Sequence, residues 1–144
     1  RGGELAGALQ ADLAQINWSE LDALAKLGGF GALNVIQLFV SGPGAVTASH
    51  YDQSQNVFLH LRGAKRFVMF PPVAGARALA PYPARHPRDR NARVRLDAPD
   101  YSSWPQLARA HGAAVEAILE PGDGLFVPYG WCTTWSPSTR RTSP

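Results

Sequence analysis

The sequence is poor in the features that define several classes of protein. It holds a single cysteine, Cys132, so no disulfide can form within the chain, which fits a reducing compartment. No apolar run approaches the roughly 20 residues of a transmembrane helix, and the first residues lack the charged and then apolar order of a signal peptide. We therefore expect a soluble protein of the cytoplasm, the nucleus or both, with no membrane partner.

The chain also lacks an initiator methionine, because it begins at Arg1, and no targeting pattern accounts for that start. We expect a fragment of a longer protein. Its 144 residues are 45% hydrophobic and 17% charged, proportions that favour ordinary globular protein and exclude the disordered and membrane-spanning classes. A chain of this length suffices for one hydrophobic core, and no internal repeat suggests a repeat architecture.

Basic residues are concentrated in one proline-rich segment. The net charge of +3 comes mainly from arginine, and five arginines crowd together: Arg85, Arg88, Arg90, Arg93 and Arg95. A basic loop on a small domain is more often a solvated face or a local anion contact than a nucleic-acid site, and no interleaved aromatic residues offer base stacking. We therefore expect no nucleic-acid partner, and the oligomeric state stays open.

The first part of the chain has a helical pattern. Ser19 is placed like an N-cap, with Asp22 as its partner three residues later, and Gly28 and Gly29 are the stop signal. We therefore predict an N-terminal helical element over residues 1–29 and a second domain over residues 30–144.

The second domain consists of short apolar runs bounded by turn residues, which are typical of strands. An insert rich in Pro, Arg and Asp, residues 71–105, is too long for a plain hairpin and predicts a functional loop, followed by a helix near residues 104–111. Helices followed by many short strands indicate a β-sandwich or barrel with an N-terminal helical element. The predicted strands are residues 34–40, 57–61, 66–70, 115–119 and 125–127.

The main chemical signal is a histidine and an aspartate two positions apart. Because side chains alternate along a strand, His50 and Asp52 share one face of an extended segment. Two histidines and one carboxylate form the facial triad that holds iron(II) and leaves positions open for a co-substrate and dioxygen. With four histidines in the chain such a pair arises easily by chance, so by itself it fits a surface turn better.

Three neighbours at fixed offsets strengthen the signal: Thr47, Asn56 and Lys65. A buried lysine needs an anion. The far carboxylate of a co-substrate such as 2-oxoglutarate needs a cation and a hydroxyl, roles that Lys65 and Thr47 could fill. Without these neighbours, an exposed lysine in a turn before a strand is the better interpretation of Lys65.

The run VTASHYDQSQNVFLHLRGAKRFVMFPP resembles the core of the Jumonji-C (cupin-type) iron(II) and 2-oxoglutarate dioxygenases. The later run LEPGDGLFVPYGW resembles the segment that leads to the third iron ligand of that family. The insert APYPARHPRDRNARVRLDAPDYSSWP is similar to the corresponding loop of the asparaginyl hydroxylase type, represented by factor inhibiting hypoxia-inducible factor. The similarity covers residues 17–131.

The resemblance implies a mainly β fold: a double-stranded β-helix of the jelly-roll or cupin type with N-terminal helices, incomplete at both ends. It further implies that His50 and Asp52 bind iron(II), and that Thr47 and Lys65 bind the far carboxylate of 2-oxoglutarate with Asn56 nearby. The cofactor is then Fe(II), and 2-oxoglutarate is the co-substrate.

The resemblance also implies a substrate. Gln53, Arg90 and Asn91 would face a protein or peptide, of which ankyrin-repeat proteins are one type. The implied reaction is hydroxylation of an asparagine side chain at its β-carbon. A histone lysine demethylase is the alternative within the enzyme class.

The third iron ligand is missing. After Trp131 the family would continue with Trp-His-His-Val-Glu-Ser, whereas residues 132–137 read Cys-Thr-Thr-Trp-Ser-Pro, so Thr133 occupies the ligand position. The other histidines, at 60, 86 and 111, lie outside this closing strand. The codons TGG CAC CAC GTG GAG TCC, with one G removed from the first, encode the observed residues. We therefore expect residues 132–144 to be frameshifted and the chain as given to be inactive or impaired. A non-catalytic cupin-type binding module is the alternative.

Overall fold

The computed structural model describes residues 7, 10–33 and 35–138. The chain divides into two compact units, Arg1–Phe39 and Val40–Pro144. Within the described ranges, no helix is long and apolar enough to cross a membrane. The domain limits expected from the sequence stay a prediction.

In the described part of the first unit, helix α1 spans Trp18–Leu27. Its N-cap is Asn17, whose side-chain oxygen accepts a backbone N–H of the first turn, so the N-cap predicted at Ser19 was wrong. Ser19 lies inside the helix and donates its hydroxyl to Asn17 Oδ1 at 2.6 Å. Asparagine and serine are both good caps, and the sequence alone did not separate them. The stop is as predicted, with Gly28 as the C-cap and Gly29 at φ 66°.

The second unit is mainly β, as the sequence predicted. One antiparallel sheet has four strands in the order β1-β6-β3-β4, and a second has two antiparallel strands, β2 and β5. Predicted and observed ends differ by no more than two residues for β2 to β5. The strands are β1 (His50–Tyr51), β2 (Asn56–Leu59), β3 (Lys65–Phe70), β4 (Val115–Leu119), β5 (Gly124–Val127) and β6 (Cys132–Pro137).

The strand predicted at residues 34–40 is not formed. Residues 35–40 belong to no strand, and residue 34 lies outside the described part of the chain. The segment has the apolar, β-branched composition of a strand, but a strand exists only where a second strand accepts its hydrogen bonds. The sequence pattern shows that the composition suits a strand, but it does not show whether a partner strand is present.

The four-stranded sheet separates two apolar clusters. The inner cluster fills the space between the two sheets and contains Phe67, Met69, Leu119 and Val127. The outer cluster packs two short helices against the opposite face of the sheet, since side chains alternate along β3 and β6. Its buried members are Phe70, Ala78, Leu79, Val94, Leu107 and Cys132.

Two short helices lie at the ends of the insert: α2 (Pro72–Leu79) at its start and α3 (Gln106–Ala110) directly after it. The predicted helix near residues 104–111 therefore exists, continuing as a 3₁₀ turn over His111–Ala113. Between the helices the chain returns to β1: Tyr51 N donates to Arg90 O at 3.0 Å, and Ala92 N donates to Ser49 O at 2.7 Å. Residues 90–92 thus run beside the strand that carries His50.

Candidate functional site

The pairing of β1 with β6 decides what stands beside His50. Thr133 is the direct partner of His50 in the antiparallel register, and Met69 is the partner of Thr133 on its other side. Side chains directly opposite one another in antiparallel strands share a face. His50 and Thr133 therefore point to the inner face of the sheet, where Met69 belongs to the inner cluster.

His50 and Asp52 lie side by side, as the two-residue spacing predicted. The Nε2 atom of His50 is 3.9 Å from Oδ1 of Asp52. The Nδ1 atom of His50 is 2.9 Å from the carbonyl oxygen of Ala48. A proton on Nδ1 donated to that carbonyl leaves the lone pair of Nε2 free for a metal, an arrangement common among histidine ligands.

Asn56 orients the carboxylate of Asp52. Its amide Nδ2 donates to Oδ2 of Asp52 at 2.8 Å. This bond occupies one carboxylate oxygen and leaves Oδ1 on the side of His50. Asn56 was predicted from the family resemblance to lie near 2-oxoglutarate, and that role stays a prediction.

Thr133 provides no imidazole nitrogen with which to bind a metal ion. It is 5% exposed, and its hydroxyl oxygen is buried with no hydrogen-bond partner among the described residues. Across residues 10–33 and 35–138, no three His, Cys, Asp or Glu side chains are grouped so as to hold a metal ion. His50 and Asp52 fit two positions of a facial triad, and the residues present do not fit the complete iron site.

Neighbouring residues do not replace the missing ligand. Cys132 packs in the outer cluster, on the face opposite His50, and burial raises the pKa of its thiol. A thiol binds metal as the thiolate, so a raised pKa disfavours that role. His60 is buried, and its Nε2 lies 3.1 Å from the carbonyl oxygen of Gly63 in the turn before β3. His60 is therefore held by a contact within the fold and does not stand beside His50 as a third ligand.

Lys65 is a buried cation on the inner face of the sheet. It is 5% exposed, and its Nζ lies 3.8 Å from the ring centroid of Trp135 and 5.0 Å from that of Phe58. Burial lowers the pKa of its ammonium group. In the part of the chain that the structure describes, no carboxylate lies within 4.0 Å of this ammonium group. Such a position suits the binding of an anion.

Thr47 is bound to the backbone of Trp135. Its hydroxyl accepts from Trp135 N at 2.9 Å and lies 3.3 Å from Trp135 O, to which it donates. Thr47 N also donates to Trp135 O at 3.0 Å. The hydroxyl that was expected to bind 2-oxoglutarate is therefore used within the fold, although a ligand could compete for it.

The three residues expected to face a substrate differ in their exposure and in their contacts with β1. Asn91 is half-buried and forms an isolated bridge with His50 on the side opposite Thr133. Arg90 is exposed and has a φ of 68°, a strained backbone conformation for a residue with a side chain. Gln53 is exposed in the bend after Asp52. From the sequence, only the family resemblance placed the insert near the site. A bridge between residues as distant as His50 and Asn91 leaves no local sequence pattern.

Trp135 was missed by the sequence analysis as a neighbour of Lys65. Trp135 lies two residues after Thr133 on β6, so both side chains lie on the inner face. This spacing is the feature of the sequence from which its position could have been inferred. The ring lies over the ammonium group and closes one side of the space around it.

Stability should depend on pH through Lys65. Because the folded pKa is lowered from 10.5, the unfolded chain binds more protons than the folded chain between the folded pKa and 10.5. Lys65→Met is therefore expected to raise the urea midpoint relative to wild type at pH 7, by an amount that shrinks as the pH approaches 10.5. Lys26→Met is the control, since Lys26 is exposed and its pKa is raised by Asp22. A difference independent of pH would contradict this.

Comparison with known proteins agrees with the fold. Residues 8–132 match the model of the cupin-like domain family. The chain belongs to that family, and the expected cupin-like fold is confirmed.

Three relatives show the range of proteins to which the chain is similar. It is 29% identical over 100 residues to the lysine-specific demethylase JMJ31 of Arabidopsis thaliana, covering 69% of this chain and 18% of that protein. It is 35% identical over 92 residues to tRNA wybutosine-synthesizing protein 5 of Danio rerio, covering 64% and 26%. It is 38% identical over 90 residues to tRNA wybutosine-synthesizing protein 4 of Gibberella zeae, covering 62% and 8%. The chain thus spans at most about a quarter of these relatives.

The comparisons confirm the resemblance at the level of a cupin-like Jumonji-C domain. Their names include a demethylase and two tRNA-modification proteins. None of these three is named as an asparaginyl hydroxylase.

Proposed function

We propose that the chain is the core of an iron(II)- and 2-oxoglutarate-dependent hydroxylase of the Jumonji-C type, whose third iron ligand is missing. The observation that carries this proposal is the register of β1 and β6, in which Thr133 faces His50. A histidine at position 133 would place a second imidazole on the inner face, next to the first. Two imidazoles and the Asp52 carboxylate are the donor set of a facial triad.

The rest of the site supports the same proposal. His50 is held through Nδ1, and Asp52 is held through Asn56, so both side chains have partners that fix their orientation. Lys65 lies on the same face of the sheet without a carboxylate partner among the described residues. Its cation would bind one carboxylate of 2-oxoglutarate.

The reading-frame hypothesis accounts for the missing ligand. The family match ends at residue 132, which is the first residue that a lost G would change. Sequencing the genomic DNA and the transcript across the codons for residues 131–135 tests it directly. Independent reads that agree on Cys132, Thr133 and Thr134 would rule out the slip.

The test of function uses a restored chain, in which residues 132–137 are replaced by Trp-His-His-Val-Glu-Ser. We expect this chain to convert 2-oxoglutarate to succinate in the presence of Fe(II), and the chain as written to give no coupled turnover. The control is His50→Ala in the restored chain, which should return succinate to background. Robust turnover by the chain as written, or none by a folded restored chain, would contradict the proposal.

A non-catalytic binding module is the second candidate, and one packing detail favours it. Gly75 of α2 lies so close to β6 that a Cβ on it would be 2.7 Å from Sγ of Cys132. A tryptophan at position 132 would not fit this contact without movement of the helix. Binding of 2-oxoglutarate to the chain as written without metal, lost in Lys65→Met and accompanied by no turnover in the restored chain, would favour the binding module.

The insert and the names of the relatives point to different substrates for the proposed reaction. The likeness of the insert to the asparaginyl hydroxylase loop supports hydroxylation of asparagine in a protein. The name of one relative points to methyl-lysine, and two names point to tRNA. Succinate release by the restored chain should be stimulated by only one of three probes: an asparagine-containing ankyrin peptide, a methyl-lysine histone peptide or bulk tRNA.

A further inference from the structure

The positive charge of the protein is concentrated in one loop. Residues 85–95 contain five arginines and one aspartate, a net charge of +4. The whole chain has a net charge of +3, so all the other residues together carry −1. We name residues 82–95 the basic loop. A single-sign field confined to one short segment attracts anionic partners to that segment.

Two of these arginines are free to bind a partner. Arg85 and Arg88 are exposed, and no carboxylate of the described residues lies within 4.0 Å of either guanidinium. The other three have internal contacts: Arg95 pairs with Asp97, Arg93 lies over the ring of Trp104, and Arg90 approaches Asp89 at 3.8 Å. Of the five arginines, the two with no carboxylate partner in the described part of the chain and no ring contact therefore lie at the turn between residues 83 and 91.

The same turn presents a pair of stacked rings. The rings of Tyr82 and His86 lie 4.4 Å apart between centroids, at an interplanar angle of 14°. Nδ1 of His86 accepts the backbone N–H of Arg88 at 3.0 Å, which fixes the ring and leaves Nε2–H as a donor. His86 is exposed, so ring surface remains available to a planar partner. The sequence showed no interleaved aromatic residues here because Tyr82 precedes the arginines and meets His86 only through the turn.

We propose that the basic loop binds single-stranded nucleic acid, with Arg85 and Arg88 on phosphates and the Tyr82–His86 pair against a base. Unpaired guanidinium groups beside a stacking platform are the combination that such ligands need. An acidic peptide would satisfy the arginines but would not use the rings. The loop is joined to the site by the bond between Arg90 O and Tyr51 N, so the bound strand would lie next to His50. This binding requires no iron and does not depend on the proposed function.

Fluorescence anisotropy on the chain as written tests the proposal, with labelled 12-nucleotide RNA and DNA probes at several salt concentrations. The double variant R85A/R88A should weaken binding about tenfold or more, and the slope of log affinity against log salt should fall by about 1.4. The variant H86A should weaken binding about fivefold or more with the slope unchanged, because stacking releases no counterions. The RNA and DNA arms decide which nucleic acid is preferred.

The matched control is R77A/R109A, which removes two exposed arginines of α2 and α3 and the same total charge. It should leave affinity within about twofold. Equal losses in the two double variants would show only diffuse attraction and overturn the proposal. So would an absence of binding at 50 mM salt, or tighter binding of an acidic peptide than of either oligonucleotide. Circular dichroism melts confirm that each variant is folded.

Discussion

Thr133→His is expected to raise the affinity of the chain for Fe(II) by on the order of a hundredfold. The loss of even an outer-shell partner of a metal ligand costs roughly ten- to a hundredfold in affinity, and here a whole ligand is added. Position 133 faces His50 across β1 and β6, and its hydroxyl makes no hydrogen bond within the described part of the chain. The substitution therefore breaks no polar contact while supplying the second imidazole.

Anaerobic titration with Mn(II), followed by the loss of the free-ion paramagnetic resonance signal, measures this effect without turnover. The control is Thr134→His, which adds the same side chain one residue further along β6, on the opposite face, and removes the hydrogen bond from the Thr134 hydroxyl to Thr47 O. It should leave metal affinity at the level of the chain as written. Combining Thr133→His with His50→Ala should remove the gain. Equal affinities for Thr133→His and Thr134→His would show that β6 does not present residue 133 to His50.

Leu79→Ala is expected to destabilise the second unit by about 3 kcal/mol, because truncation of a buried leucine leaves a cavity that its surroundings fill only partly. Leu79 is 0% exposed and lies in the outer cluster with Phe70 and Val94. The backbone N–H of Val94 also donates to Leu79 O at 3.3 Å. The residue therefore fixes both α2 and the returning segment of the insert, which leads to the bridge between Asn91 and His50.

Urea unfolding followed by tryptophan fluorescence provides the measurement. Val73→Ala is the control on the same helix, since Val73 is 64% exposed and should cost less than about 0.5 kcal/mol. If Leu79→Ala were as mild as the control, α2 would not pack on the sheet as described. Hydrogen exchange of the Tyr51 amide, which is bonded to Arg90 O, should also speed up in Leu79→Ala.

Local patterns in the sequence predicted much of the fold correctly. Strands β2 to β5 and the stop of α1 follow from alternation, β-branched residues and paired glycines, which act over a few neighbouring residues. The N-cap of α1 was misplaced because two residues with similar capping ability, Asn17 and Ser19, lie close together. The strand predicted at residues 34–40 does not form over residues 35–40. A strand needs a second strand to accept its hydrogen bonds, and the sequence of the segment alone does not show whether one lies beside it.

By itself, the sequence determined the chemistry that the chain can offer. His50 and Asp52 share a face because strand side chains alternate, and the lack of a histidine at position 133 follows from the sequence motif. Tertiary structure alone decided which residues come into contact: Thr133 opposite His50, Trp135 over Lys65, and the basic loop beside β1. These contacts join residues at least 39 positions apart along the chain. Their register depends on hydrogen bonds between strands and on which face is buried, and no local pattern records it.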